Sequence, residues 1–108
     1  MNIVFSENFK NLFTEMYEYN IKYSIGYANR LRLSMLKSIE RLKETPYIGN
    51  NLPDKKKEYK ELICQKYRII YRVSEIHNLI YIDYIVYAGK NFRALFKIYN
   101  KKTKVPIV

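Results

Sequence analysis

Glycine and proline are scarce in this 108-residue chain, three of each, and that scarcity speaks against the turn density of an all-β sandwich. A single cysteine, Cys64, excludes an internal disulfide and makes a reducing compartment the simpler expectation. The one histidine, His77, has no cysteine, aspartate or second histidine close by, which is the pattern of a solvated turn residue rather than a base or metal ligand. Asp83 and Glu75 also stand alone, so neither a metal nor a cofactor is expected. Long hydrophobic runs are missing: the longest, Leu79 to Ala88, is broken by Asp83, and the opening residues Met1 to Glu7 have no basic stretch leading into an apolar one. These features predict a soluble cytoplasmic protein with no membrane contact.

Acidic residues are also few, ten against twenty lysines and arginines, for a net charge of +10. Residues 51–108 hold thirteen of the cations and five of the acids, so +8 of that charge lies in the second half. The asymmetry implies an anionic partner for that half: nucleic acid, an acidic protein, or both in turn.

What is present is an ordinary globular balance, 48% hydrophobic and 28% charged, with twelve tyrosines. The length suits one domain with its own core. Residues 2–5 read as a first strand, and Ser6 with Glu7 as the capped start of a helix. Phe9, Leu12, Phe13, Met16 and Tyr17 recur at helical spacing and predict a helix over 7–21; Ala28, Leu31, Met35, Ile39 and Leu42, widened by Leu36, predict a second over 25–44, ended by Pro46. A joint as short as Lys22–Ser24 requires an antiparallel hairpin, since a continuous rod would leave both apolar stripes in water. Residues 46–58 carry two prolines and the lysines 55–57, which is loop chemistry. Strands are expected at 59–65, 67–74 and 79–88, with 75–78 as the last hairpin loop. The expected architecture is α+β: a short N-terminal strand and a helical hairpin on one face of a small antiparallel sheet. Within a single domain 1–108, residues 1–45 supply strand and hairpin, 59–88 the sheet, and 89–108 a C-terminal segment and basic tail.

The segment Tyr67-Arg68-Ile69-Ile70-Tyr71-Arg72-Val73 alternates. If Ile69, Tyr71 and Val73 face the core, Arg68, Ile70 and Arg72 face the other way, which predicts a basic sheet surface unless Asp83 or Glu61 pairs with the arginines across the sheet. By the same alternation Tyr81 and Tyr87 share one face of the last strand.

In order and spacing the chain resembles the RelE/ParE superfamily of toxins from bacterial type II toxin–antitoxin systems. The similarity runs through Val4-Phe5-Ser6-Glu7, Tyr17 to Asn20, Ala28 to Leu42, the helix exit Leu42-x-x-x-Pro46-x-x-Gly49, the strand Tyr67 to Val73, and the closing Tyr87-Ala88-Gly89-Lys90-Asn91-Phe92-Arg93. The resemblance implies the same architecture, a cytoplasmic growth inhibitor, and a cognate antitoxin with an acidic or amphipathic segment, in a toxin–antitoxin hetero-oligomer. It implies one of two targets: DNA gyrase for the ParE-like branch, or messenger RNA on the ribosome for the RelE-like branch.

The RelE-like branch is a metal-independent endoribonuclease, and such cleavage needs a base, an acid and cations on the phosphorane. Arg68 and Lys90 match that branch and would be its catalytic cations. The arginine that follows the lysine in that branch's Gly-Lys-Arg ending falls at Asn91, its late tyrosine near Phe96, its lysine pair near Tyr59 and Glu61, and the His-Tyr pair of a sister type near Tyr87-Ala88. With most of that set absent, the chain resembles the ParE-like branch more closely, where binding suffices. The expected target-binding residues are Arg68, Arg72, Tyr81, Tyr87, Lys90 and Arg93, without a metal. An inactive, antitoxin-binding remnant is the third reading.

Overall fold

The computed structural model describes residues 1–53 and 58–87; lysines 55–57, Ala88, and the expected C-terminal segment and tail lie outside them. The chain runs β1 (Asn2–Phe5), α1 (Glu7–Ile21), α2 (Ile25–Arg41), β2 (Asn50–Asn51), β3 (Tyr59–Cys64), β4 (Tyr67–Ser74) and β5 (Leu79–Tyr87). The sheet order is β1-β5-β4-β3-β2. The α+β architecture is as expected, with one refinement to the sheet. It is mixed: β1 pairs in parallel with β5, Asn2 opposite Leu79 through Phe5 opposite Ile82, while the other pairs are antiparallel. The helical hairpin intervenes between β1 and the remaining strands, which is the length of chain a parallel pairing requires.

Both helices begin on a serine. Ser6 adopts extended dihedrals and its Oγ accepts from the Phe9 N–H at 2.9 Å; Ser24 does the same for Tyr27 at 3.1 Å, each satisfying an otherwise unpaired helix donor. The second helix ends at Arg41, three residues earlier than its apolar spacing predicts. Leu42, Lys43 and Glu44 donate to carbonyls three residues back, so the last turn tightens into 3₁₀ geometry and still delivers Leu42 to the core.

The two stripes bury as one layer. Phe9, Met16, Leu31, Met35, Ile39 and Leu42 pack on Cys64, Ile69, Tyr71, Ile80, Ile82 and Ile85, with α1 over β5 and α2 nearest β3. Fully burying a Leu, Ile or Met side chain contributes about 1.5–3 kcal/mol, so this layer holds hairpin and sheet together. Polar bonds set the register. Asn20 Nδ2 donates to the Tyr67 hydroxyl at 3.0 Å and to the Met16 carbonyl at 2.8 Å, tying the end of α1 to the start of β4.

The helix exit closes on a tyrosine. Tyr71 is fully buried, yet its hydroxyl reaches the segment after α2, donating to the Pro46 carbonyl and accepting from the Gly49 N–H, both at 2.9 Å. Burial raises this phenol's pKa above its usual value, partly offset by the Gly49 hydrogen bond, so it stays a neutral donor. A Cβ on Gly49 would lie 2.5 Å from the Tyr71 hydroxyl and 2.7 Å from the Glu61 carbonyl. Glycine is required here for space, which gives the Pro46-x-x-Gly49 spacing a physical cause. Gly49→Ala is expected to lower stability by about 1–3 kcal/mol, the range for overpacking; an unchanged urea midpoint would show that the loop moves aside freely.

Candidate target-binding face

On the sheet face away from the helices, β3 and β4 place Arg68 opposite Ile63 and Arg72 opposite Tyr59. The arginines come to this face because alternation sends Ile69 and Tyr71 into the helix-side core. The basic surface expected there is not what forms. Arg68 Nη1 donates to Glu61 Oε1 at 3.1 Å and Arg72 Nε to Asp83 Oδ2 at 2.8 Å. Both carboxylates are fully buried, and the arginines keep only 21% and 24% of their side chains exposed. Two cations and two anions cancel, so the described part of this face carries polarity and shape rather than net charge. Ile70, expected to be displayed, is fully buried in a second apolar cluster with Leu52, Tyr59 and Tyr84.

A β-bulge arranges these partners. Ile70 pairs with Tyr84 and Tyr71 with Ile82, leaving Asp83 as the extra residue of β5. One added residue shifts the alternation. Before the bulge Leu79 and Tyr81 oppose Ser74 and Arg72; after it Tyr84 and Val86 oppose Ile70 and Arg68, while Tyr87 opposes Tyr67. Tyr81 and Tyr87 therefore do not share a face. Tyr81 lies beside the arginines, with the Arg72 guanidinium 4.8 Å from its ring centre and 5.9 Å from that of Tyr59, a cation–π arrangement with both cross-strand neighbours. Tyr87 lies on the helix side, edge-on to Tyr67 with centroids 5.6 Å apart. Of the expected target-binding residues, the face thus collects Arg68, Arg72 and Tyr81, excludes Tyr87, and leaves Lys90 and Arg93 outside the described residues. Tyr59 was not among the expected residues; its register opposite Arg72 is set by strand pairing, which no local pattern displays.

The Asp83 carboxyl is also tied through its main chain. Its carbonyl accepts from Ser6 Oγ at 2.8 Å, and the neighbouring Ile82 carbonyl accepts from the Ser6 N–H at 3.0 Å. Burial pushes the Asp83 carboxyl up to about 6, against the hydrogen bond and charge of Arg72. His77, in the β4–β5 loop, is exposed with Nδ1 2.9 Å from Ser74 Oγ. Ser74 is six residues along β4 from Arg68, about 20 Å at 3.3 Å per residue. No group of three or more His, Cys, Asp or Glu that could hold a metal occurs among the described residues, and no described helix is long and apolar enough to cross a membrane.

Residues 3–92 match the family described as the ParE toxin of the type II toxin–antitoxin system, parDE. The chain belongs to the ParE toxin family. A solved structure titled as the chromosomal ParDE toxin–antitoxin system from P. aeruginosa has the same fold, with a TM-score of 0.69, 13% sequence identity, and coverage of 82% of this chain and 97% of that one. No curated protein sequence matches significantly. A ParE-family chain is a type II toxin, and the class of its partner is an antitoxin.

The folded chain holds the Asp83 proton more tightly than the unfolded chain, whose value is near 3.8. The stabilisation due to that protonation is therefore complete below about pH 4 and lost as pH rises through about 6. Asp83→Asn, which keeps an acceptor for Arg72, should remove this dependence: the urea-midpoint difference between variant and parent should change between pH 4 and 7, and a constant difference would show that Asp83 does not titrate there. Arg68→Met alone should destabilise by up to about 3–5 kcal/mol by leaving the buried Glu61 charge without this cation, whereas Arg68→Met with Glu61→Leu should recover most of the loss. Equal melting temperatures for the single and double variants would refute the coupling.

Proposed function

We propose that this ParE-family chain arrests growth by binding its target rather than by cleaving RNA, with DNA gyrase as that target, and that a cognate antitoxin carrying an acidic or amphipathic segment neutralises it. The observation that carries this reading is the commitment of Arg68 and Arg72 to buried carboxylates. A nuclease would direct such cations at a scissile phosphate and set an accessible acid and base beside them. Here the carboxyl with a pKa near neutrality, Asp83 at about 6, is fully buried. The histidine lies in the β4–β5 loop, at the opposite end of β4 from Arg68, with its Nδ1 on Ser74 Oγ. Arg68, Arg72 and Tyr81 instead form a polar and aromatic surface backed by the buried Tyr59 ring, a composition enriched among the residues that carry most of the energy at protein interfaces. Family membership supports gyrase over the ribosome, because poisoning gyrase is the role associated with the ParE branch.

Expression of the chain without its antitoxin should stop growth, induce the SOS response and trap double-strand breaks on gyrase. Transcripts cut at ribosomal A-sites, with no breaks, would instead support the RelE-like endoribonuclease. Unimpaired growth at confirmed expression would support the inactive antitoxin-binding remnant.

A further inference from the structure

An open cleft of about 690 Å³ lies where the end of α1, the start of α2, the β3–β4 turn and the end of β5 meet. It sits on the helix side of the sheet, so it is separate from the arginine face. Its volume falls within the roughly 300–1,000 Å³ of small-ligand sites. Tyrosines from four different elements wall it: Tyr19, Tyr27, Tyr67 and Tyr87.

Two of those rings form a supported platform. Tyr67 is buried, and its hydroxyl is held by the Asn20 amide, which is itself buried and fixed to the Met16 carbonyl. Tyr87 stands edge-on to it, at 82° between ring planes, and remains 63% exposed. An exposed aromatic ring braced by a buried one loses little conformational freedom when a flat group stacks on it. Tyr19, 55% exposed, offers a second accessible ring at the same cleft.

The described rim carries a cation. Lys66 is exposed in the two-residue β3–β4 turn and is the only charged residue among those described as lining the cleft. Its neighbour Gln65 holds φ at 55°, a left-handed conformation that a non-glycine residue adopts at a cost and that fixes the course of this turn. Apolar walls with phenol and amide edges, an ammonium at the mouth, and no carboxylate among the described lining residues fit an aromatic heterocycle attached to an anion. The second half of the chain, which supplies the turn, carries +8 of the net charge, and this favours a polyanion over a neutral ligand.

We propose that this cleft binds an unstacked base of a single-stranded nucleic acid, the base stacking on Tyr87 and a flanking phosphate contacting Lys66. Stacking on tyrosine tolerates every base because each has a π-face, so the site discriminates strandedness more than sequence. A duplex keeps its bases stacked on one another and cannot offer one to the cleft without opening. The proposal does not depend on gyrase being the toxin's target.

The test uses the full chain and a fluorescently labelled oligodeoxynucleotide, presented single-stranded, as the matching duplex, and as the same sequence in RNA. Because the chain has no tryptophan, the part of the tyrosine quenching that is lost in Tyr87→Ala reports stacking on that ring, beside anisotropy for binding. The expected result is tighter binding of either single strand than of the duplex, with quenching. Tyr87→Ala and Lys66→Ala should each weaken it about tenfold, Tyr87→Phe should retain it, and melting temperatures should be unchanged. Tyr19→Ala, at an exposed ring of the cleft, serves if Tyr87→Ala does not fold. Equal affinity for duplex and single strand would overturn the proposal. So would the same loss from Lys37→Ala, which lies outside the cleft lining, or a cleft that takes an acidic peptide but no oligonucleotide.

Discussion

The extra residue in β5 is the constraint on which the rest of the structure depends. A strand that passes Asp83 without a bulge would keep one alternation from Leu79 to Tyr87 and could not put Ile80 and Ile82 in the same core as Ile85. All three lie beneath the helical hairpin, and the parity of 80, 82 and 85 is reconciled only because Asp83 drops out of the ladder. The same residue then works on both sides of the sheet. Its carbonyl anchors Ser6, where β1 ends and α1 begins, and its carboxylate meets Arg72 on the opposite face. Helix entry, sheet register and the composition of the arginine face converge on one position.

The buried carboxylates change what the arginine face can do. An exposed guanidinium is a mobile cation that can follow a phosphate; one fixed to a buried acid and laid between Tyr59 and Tyr81 is a rigid, charge-balanced surface. Burying ions is costly, and a buried pair adds little net stability over an apolar one. Its presence in this ParE-family chain suits a surface whose shape matters, in keeping with the binding role proposed above. The chain's large positive charge is therefore expressed elsewhere than on the described part of this face, with Lys66 at the mouth of the tyrosine cleft as one such place.

The hydroxyls of Tyr71 and Tyr67 do parallel work at two ends of the core. Each belongs to a ring buried among apolar side chains, and each extends its polar end to a segment that must be held: the helix exit at Pro46 and Gly49 for Tyr71, the end of α1 at Asn20 for Tyr67. The tyrosine richness of the chain is in this sense structural, because a phenol fills core volume and still satisfies a polar group at the boundary.

Much of this was legible in order along the chain. Helical stripes, the Ser6 cap, the alternation around Arg68 and the spacing of Pro46 and Gly49 are local patterns, and local patterns follow from backbone geometry, so they determined the hairpin, the strands and the resemblance to the superfamily. The acids Glu61 and Asp83 were visible as possible partners for the arginines, but their pairing depends on strand register. The parallel seat of β1, the bulge at Asp83, the separation of Tyr81 from Tyr87, the neutral arginine face and the cleft that gathers four tyrosines were decided by tertiary structure alone. Each depends on which residues from distant segments stand opposite one another, and a one-residue shift in a strand, invisible to any periodicity, exchanges one face of a sheet for the other.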